Sequence, residues 1–557
     1  MTGALLPALF LTPLLLAALV AAPATRRWAE WLAPWTALPA LLTALLAPPN
    51  LTLDLPWLLL GARFALDDTG RLFLLFTALL WLVGGLYARG YLAADPRRAG
   101  FTALFLVTQA GNLGLCLAMD AASFYLTFAI MTFAAYGLVV HDRSAEAWRA
   151  GRIYLILAIV GEVLLLTGLL LLSQAAGTLD LAIAPGTLAD HPRAAIITTF
   201  LLLGFGVKAG LPLLHVWLPL AHPVAPTPAS AVLSGAMIKA GLLGWLRFLP
   251  LGVVALPEWG TAVMALGLFA AFGGVLVGLT QDNPKTVLAY SSISQMGFMT
   301  LGVGAGLLRP ELWPALAAAV ALYALHHGLA KGALFLGVGV LQRAGHRPWL
   351  DWGLLLPVLA LAGAPSTSGA LAKAELKAAL IGLPAPWPAV LDWSLPLAAL
   401  GTTLLMARFL WTLHRDDHGA GNAWSLIIPW LGLLLAVAGL AWGLAPEGAF
   451  ERLLNPTALW SAAWPFLAGA TLALLASRRT GWIPIIPAGD LLVPVERALA
   501  VLWARRPTLH PPHWPRWHSP LTAADRERLE TDLRAWPVTG ILFLIGLAAF
   551  LAAITLK

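Results

Sequence analysis

Apolar residues run along this chain in long stretches, and polar residues collect in the gaps between them. About 16 stretches approach the roughly 20 residues that an α-helix needs to cross a bilayer. They lie near 3–22, 28–47, 71–92, 100–118, 121–140, 152–174, 195–221, 228–249, 257–280, 285–308, 312–342, 350–383, 388–413, 424–444, 458–477 and 537–556. Inside lipid, backbone groups have only each other as partners, so only helices and closed barrels span it. These runs are too long and too evenly apolar for barrel strands. The pattern predicts an all-α, polytopic membrane helix bundle with short connections and no strands. No basic region precedes the first stretch and no polar domain follows it, so it is expected to be a membrane helix rather than a cleaved signal.

Composition agrees. Of 557 residues, 60% are hydrophobic and 11% charged, against about 45–50% and 25% in soluble domains. A soluble enzyme, a disordered scaffold and a nucleic-acid binder are excluded. The net charge of +7 is spread too thinly for a nucleic-acid patch. One cysteine, Cys116, excludes a disulfide framework and a zinc cluster. No cofactor or metal ligand set is expected, and without strands no phosphate-binding loop can follow one.

The basic residues divide by type. The chain has 7 lysines and 27 arginines. Most arginines lie in the gaps. Arg26/Arg27, Arg97/Arg98, Arg143/Arg149/Arg152, Arg343/Arg347 and the stretch 478–535 alternate with poorer gaps. The positive-inside bias then predicts an outward N-terminus and a cytoplasmic 478–535 segment. Within it, Leu491–Trp503 reads as an amphipathic surface helix. Five prolines from Pro507 to Pro520 then forbid helix, and Thr522–Trp536 resumes it. This segment reads equally as a loop under the bundle or as a clamp on a neighbouring subunit.

Most lysines instead lie in or beside apolar runs: Lys208, Lys239, Lys331, Lys373 and Lys377. A charge at mid-bilayer costs on the order of 2.5–3.5 kcal/mol, so ionisable residues kept there are candidates for function. Two of the runs are broken by Gly and Pro. Gly204–His215 holds Lys208 and Pro212. Gly363–Lys377 holds Gly363, Pro365, Gly369, Lys373, Glu375 and Lys377. Two interrupted segments in corresponding halves point to inverted repeats, here of five helices each. Glu375 and Lys377 also fit an interfacial ion pair. Between the breaks, His326 and His327 precede Lys331, and His327 shares a helix face with Lys331. Glu162 is the clearest buried carboxylate of the N-terminal half, with Lys208 its nearest cation in chain order. The domains expected are 1–99, the repeats 100–250 and 251–415, further helices over 416–477, the polar segment 478–536, and a last helix over 537–557.

Four stretches carry a resemblance: Gly204–Ser230, Asp282–Gly297 (DNPKTVLAYSSISQMG), His326–Gly337 (HHGLAKGALFLG) and Gly363–Lys377 (GAPSTSGALAKAELK). They resemble the antiporter-like subunits of respiratory complex I, membrane-bound hydrogenases and Mrp cation/proton antiporters. The resemblance covers roughly residues 60–415. It implies a hydrated midplane proton path through Lys208, Lys239, His327, Lys331 and Lys373, with His326, Glu162 and Glu375 as further candidates. It also implies partnership with other membrane subunits in the lipid bilayer, protons as the transported ion with Na+ as alternative, and no cofactor in this chain. The family places a glutamate in the fifth helix, where this chain has Ala129. Either Glu162, one helix on, replaces it, or the N-terminal half lacks its usual switch and the chain conducts passively or couples differently. An opposite charge at about 4–6 Å shifts a titration by 1–3 units, about 1.4–4 kcal/mol, enough to load and release a proton. A membrane subunit of an inorganic-carbon uptake complex, and an anchor that has lost conduction, remain as alternatives.

Overall fold

The computed structural model describes residues 5–48, 51–181, 183–189, 191–415, 419, 421–478, 484–489 and 492–504. Eleven helices among these are long and apolar enough to cross a membrane. Three shorter apolar helices join them: Leu5–Ala21, Ala194–Ala209 and Pro348–Ala362. Each expected run from 3–22 to 458–477 coincides with a helix, or with two helices around a break. The expected helices over 522–536 and 537–556, and the prolines from Pro507 to Pro520, lie outside the described residues.

The expectation of no strands needs correction. Leu51–Leu55 (β1) and Ala62–Leu66 (β2) form an antiparallel hairpin, with Leu53 opposite Phe64. Leu51-Thr-Leu-Asp-Leu55 alternates apolar and polar residues, which puts one type on each face of a strand. This short period is hidden between two far longer apolar runs. The hairpin is tied down by Asp120, which accepts from the Arg63 amide at 2.8 Å, and by the 2.7 Å ion pair of Arg63 with Asp180.

Helix starts follow ordinary capping chemistry. Asp67 accepts from the Gly70 amide at 3.0 Å, Asp120 from Ser123 at 2.8 Å and Asn283 from Lys285 at 2.9 Å. The long helices sort by burial. Pro456–Ser477 and Pro257–Leu279 show much of their length outward. Three helices form the axis of the molecule: Thr227–Phe248, Pro284–Leu308 and Trp313–Ala344. Every residue of Pro284–Leu308 is buried. Because this helix is enclosed on every side, any polar group it carries has only protein around it.

The axial helices approach closely because small residues meet. A Cβ on Gly235 would lie 3.0 Å from the Gly328 carbonyl, and one on Gly328 would lie 2.7 Å from the Gly235 carbonyl. Such backbone-to-backbone packing supplies cohesion where lipid removes the hydrophobic drive. Gly235 lies in a π-helical turn, Leu233–Met237.

The start of the polar segment touches the same bundle. Leu492–Ala504 is helical, as expected. Its Glu496 pairs with Arg149 at 2.7 Å, and the Ile486 carbonyl accepts from Gln281 Nε2 at 3.1 Å.

Candidate functional site

The first broken helix is stopped by glycine. Ala194–Ala209 ends at Gly210, whose left-handed backbone (φ 77°) an L side chain would resist. Pro212 lies in the turn that follows, and Trp217–Val224 resumes the helix. The break orphans backbone carbonyls. Trp217 Nε1 takes one over, donating to the Val207 carbonyl at 2.8 Å. Lys208 therefore sits in a last helical turn, where the helix dipole favours a cation.

Its Nζ donates to Tyr154 Oη at 3.1 Å. It also lies 5.2, 5.6 and 5.8 Å from the ring centroids of Tyr154, Trp217 and Phe128, within cation–π range. Glu162 stands two turns beyond Tyr154 and lines the same small cavity, with Thr132. Neither Glu162 oxygen has a hydrogen-bond partner. The carboxylate interacts with Lys208 through space without closing an ion pair. Glu162, not a residue at position 129, is the carboxylate in the Lys208 cavity.

The next group lies on the axis. Lys239 Nζ donates to the Ser234 carbonyl at 2.6 Å, a group presented by the π turn. Lys331 Nζ donates to the Leu288 carbonyl at 2.7 Å and to Ser291 Oγ. Ser234 and Ser292 share a 2.8 Å hydrogen bond between them. His327 is fully buried, and neither ring nitrogen has a partner. His326 Nδ1 meets Ser368 Oγ at 2.9 Å. Lys239 is within electrostatic reach of His326, His327 and Lys331.

His326 leads to the second broken helix. Pro348–Ala362 ends at the left-handed Gly363 (φ 81°), and Ser368–Ala379 begins after the Thr367 cap. Pro365 lies in the turn between them. Lys373 reaches back across the break and donates to the Ala362 carbonyl at 2.9 Å and to Leu361 at 3.4 Å. Gly369 permits this fold-back, because a Cβ there would collide with the Ala360 carbonyl. Lys208 thus precedes its break, whereas Lys373 follows its own. Glu375 turns away: its carboxylate accepts from Arg452 at 2.8 Å. It does not join the series, and its partner is not Lys377.

Three residues of this interior escaped the sequence reading. Tyr154 is the hydroxyl partner of Lys208. His222 is fully buried, stacked on Phe335 at 4.4 Å, with neither ring nitrogen partnered. Lys285 donates to the Ala225 carbonyl at 2.9 Å, at the end of the Trp217–Val224 half-helix. In the sequence, His222 stands in a proline-rich stretch and Lys285 within the Asp282–Gly297 motif, and neither lies in the middle of a long apolar run. Only tertiary packing shows that both are interior.

The family described as NADH:quinone oxidoreductase/Mrp antiporter, TM, matches residues 118–392, which hold the whole buried series. Hydrogenase-4 component B of Escherichia coli is 32% identical over 352 residues, 59% of this chain and 51% of that protein. NADH-quinone oxidoreductase subunit N of Desulforudis audaxviator is 32% identical over 354 residues, 62% of this chain and 67% of that protein. The chain spans about half the length of the first of these relatives and two thirds of the second. A chain of the Mrp complex from Dietzia sp. DQ12-45-1b superposes with a TM-score of 0.71 at 21% identity, covering 100% of this chain and 63% of that one. That likeness is one of fold.

Proposed function

We propose a proton-translocating role from one premise: the chain belongs to the NADH:quinone oxidoreductase/Mrp antiporter transmembrane family. In this role it is the antiporter-like membrane subunit of a multi-subunit complex of the complex I or membrane-bound hydrogenase type. Its neighbours are other membrane subunits, and the driving reaction belongs to them. The membrane is the inner, cytoplasmic one, with the N-terminus outside and the 478–535 segment inside. The arginine-rich gaps support that orientation.

One observation carries the reading. Buried titratable groups follow one another through the bundle, and several of their polar atoms have no protein partner: both Glu162 oxygens, both nitrogens of His222 and His327, and His326 Nε2. Buried polar groups are almost always hydrogen-bonded, and unpartnered ones are where internal water binds. A line of lysines and histidines joined by water can pass protons. The order supported is Glu162 and Lys208, then Lys239, His327 and Lys331, then His326 and Lys373, with Lys285 and His222 as a branch. We read residues 100–250 and 251–415 as two inverted units. In support, each holds one break closed by a left-handed glycine, with a lysine at the break.

The test is proton uptake by proteoliposomes holding the whole complex. Lys373→Ala is expected to lower uptake about tenfold or more; uptake equal to the parent overturns the path. Sodium is the competing ion. Because Glu162 is the one carboxylate in the series, transport at fixed pH is expected not to require Na+.

A further inference from the structure

A further cavity, of about 270 Å³, lies among the N-terminal helices, apart from the proton series and outside residues 118–392. Three elements meet there: Arg26–Leu32 with the turn after it, the end of Asp68–Tyr91, and the start of Arg98–Leu117. Each brings one arginine to the cavity: Arg27, Arg89 and Arg98. Glu30 is the carboxylate in the lining, and Arg98 already holds it. Nε and Nη2 both donate to its Oε2, at 3.1 and 2.8 Å. Among the described residues, Arg27 and Arg89 have no hydrogen-bond or ion-pair partner. The cavity therefore keeps an excess of positive charge and unused guanidinium donors, which suit phosphate oxygens.

The polarity of the cavity is graded along the helices. All three arginines stand at helix ends. Phe101 and Phe105 follow Arg98 on one helix face, and Phe105 lies about 10 Å further in. Gly85 lies four residues inside Arg89, and Pro34 seven inside Arg27. The two phenylalanines are buried and stack with centroids 5.5 Å apart. A Cβ on Gly85 would lie 3.0 Å from Pro34 Cα, so these two elements close tightly over the floor. The rim is thus cationic and the floor apolar. The rim also carries an interfacial signature. Trp28, Trp31 and Trp35 are all exposed beside it, and tryptophan collects where bilayer meets water.

We infer that this cavity binds the headgroup of an anionic phospholipid. Arg27, Arg89 and the remaining Nη1 of Arg98 meet the phosphate. Trp31 flanks the glycerol, and the first acyl methylenes lie against Phe101 and Phe105. The volume is just below the roughly 300–1,000 Å³ of pockets that enclose a whole small ligand, so the tails stay in the bilayer. A basic pocket between membrane helices is a recognised form of lipid-headgroup site. A free phosphate would use the rim and leave the apolar floor without a partner. The bound lipid adds a second polar tie to the Arg98–Glu30 pair, joining Arg26–Leu32 to the two helices after it.

Native mass spectrometry of the full-length protein, released from nanodiscs of equal parts phosphatidylglycerol and phosphatidylcholine, tests this. The parent is expected to retain phosphatidylglycerol in preference to phosphatidylcholine. Arg27→Gln and Arg89→Gln are each expected to weaken retention about fivefold, and together about 25-fold. Ala88→Phe fills the cavity without touching a charge and should release the lipid as fully as the double variant does. Arg309→Gln, at an arginine paired with Glu311 instead, leaves retention unchanged. Millimolar inorganic phosphate should not displace the lipid. Equal retention of the two lipids, displacement by phosphate, or a monodisperse Ala88→Phe variant that keeps its lipid overturns the site. In native membranes, p-benzoylphenylalanine at position 31 is expected to crosslink to phospholipid. A crosslink to a neighbouring protein chain instead would make the cavity a subunit contact and overturn the inference.

Discussion

The two broken helices solve one problem in different ways. Each places a buried lysine at a helix break closed by a left-handed glycine. At the first, Lys208 has a carboxylate in the same cavity, Glu162, and a hydroxyl partner, Tyr154. At the second, Lys373 has two carbonyls and the face of Phe298 at 5.9 Å, and the titratable group within its electrostatic reach is His326. Glu375, the carboxylate nearest in sequence, is held by Arg452 instead. The first site is an acid–base pair whose charge state the carboxylate can set. The second belongs to a group of cations whose members repel one another. A buried cation without a counter-ion is costly to keep charged. In the proposed path, a proton entering the second group would be driven onward, while one entering the first would be held, which would give storage and conduction to different ends of one molecule.

This division can be broken experimentally. The largest effect is expected in the middle, where Lys239→Met and Lys331→Met remove a carrier while roughly keeping volume. Proton uptake by the reconstituted complex should fall about 100-fold, and residual uptake near the parent's would remove the axis from the path. Next comes Glu162→Gln, expected to lower uptake about 3- to 10-fold. Its signature is coupling. On a Lys208→Met background the loss should largely vanish, whereas on a Lys373→Met background it should multiply. The same factor on both backgrounds would erase the distinction between the two sites.

Smaller still is Thr132→Val. Thr132 Oγ1 lies beside Glu162, outside good hydrogen-bond geometry. Less than about a threefold change in uptake is expected, and a loss equal to that of Glu162→Gln would make the hydroxyl a full member of the site. The smallest effect lies outside the membrane-spanning segments. Asp95 accepts from His141 at 2.9 Å. Burial pushes its carboxyl up, but the His141 hydrogen bond and Arg97 outweigh this and hold it below the usual range. A depressed carboxyl contributes stability above its unfolded value, and that contribution is lost as pH falls through the folded one. Asp95→Asn should therefore cost under about 1 kcal/mol at pH 7, and progressively less as pH falls below the usual carboxylate range and through the lowered folded value. Thermal unfolding across that range checks it, and a cost that persists in acid would refute the assignment to charge.

The positions of the breaks were legible because glycine and proline act locally. Gly210 and Gly363 end their helices through backbone conformation, whatever surrounds them. The lysines and the histidine pair were legible because lipid makes such residues conspicuous. What each residue bonds to was less so. Glu375 follows Lys373 by two residues and looks like part of the same site, yet it pairs with Arg452 across 77 positions. His222 looks like a turn residue and is fully buried. The β1–β2 hairpin was overlooked because a period-2 pattern five residues long is faint beside twenty-residue runs.

The sequence by itself determined that this chain is a polytopic membrane protein, where its helices break, and which side chains bring charge into the interior. These follow from hydropathy, backbone stereochemistry and the cost of placing ions in lipid, all of which act residue by residue or over one helix. Only the tertiary structure decided which groups share a cavity. It set Glu162 beside Lys208, separated Glu375 from Lys373, and drew Lys239, His327 and Lys331 onto one buried axis. Electrostatic coupling falls with distance in space and takes no account of separation along the chain.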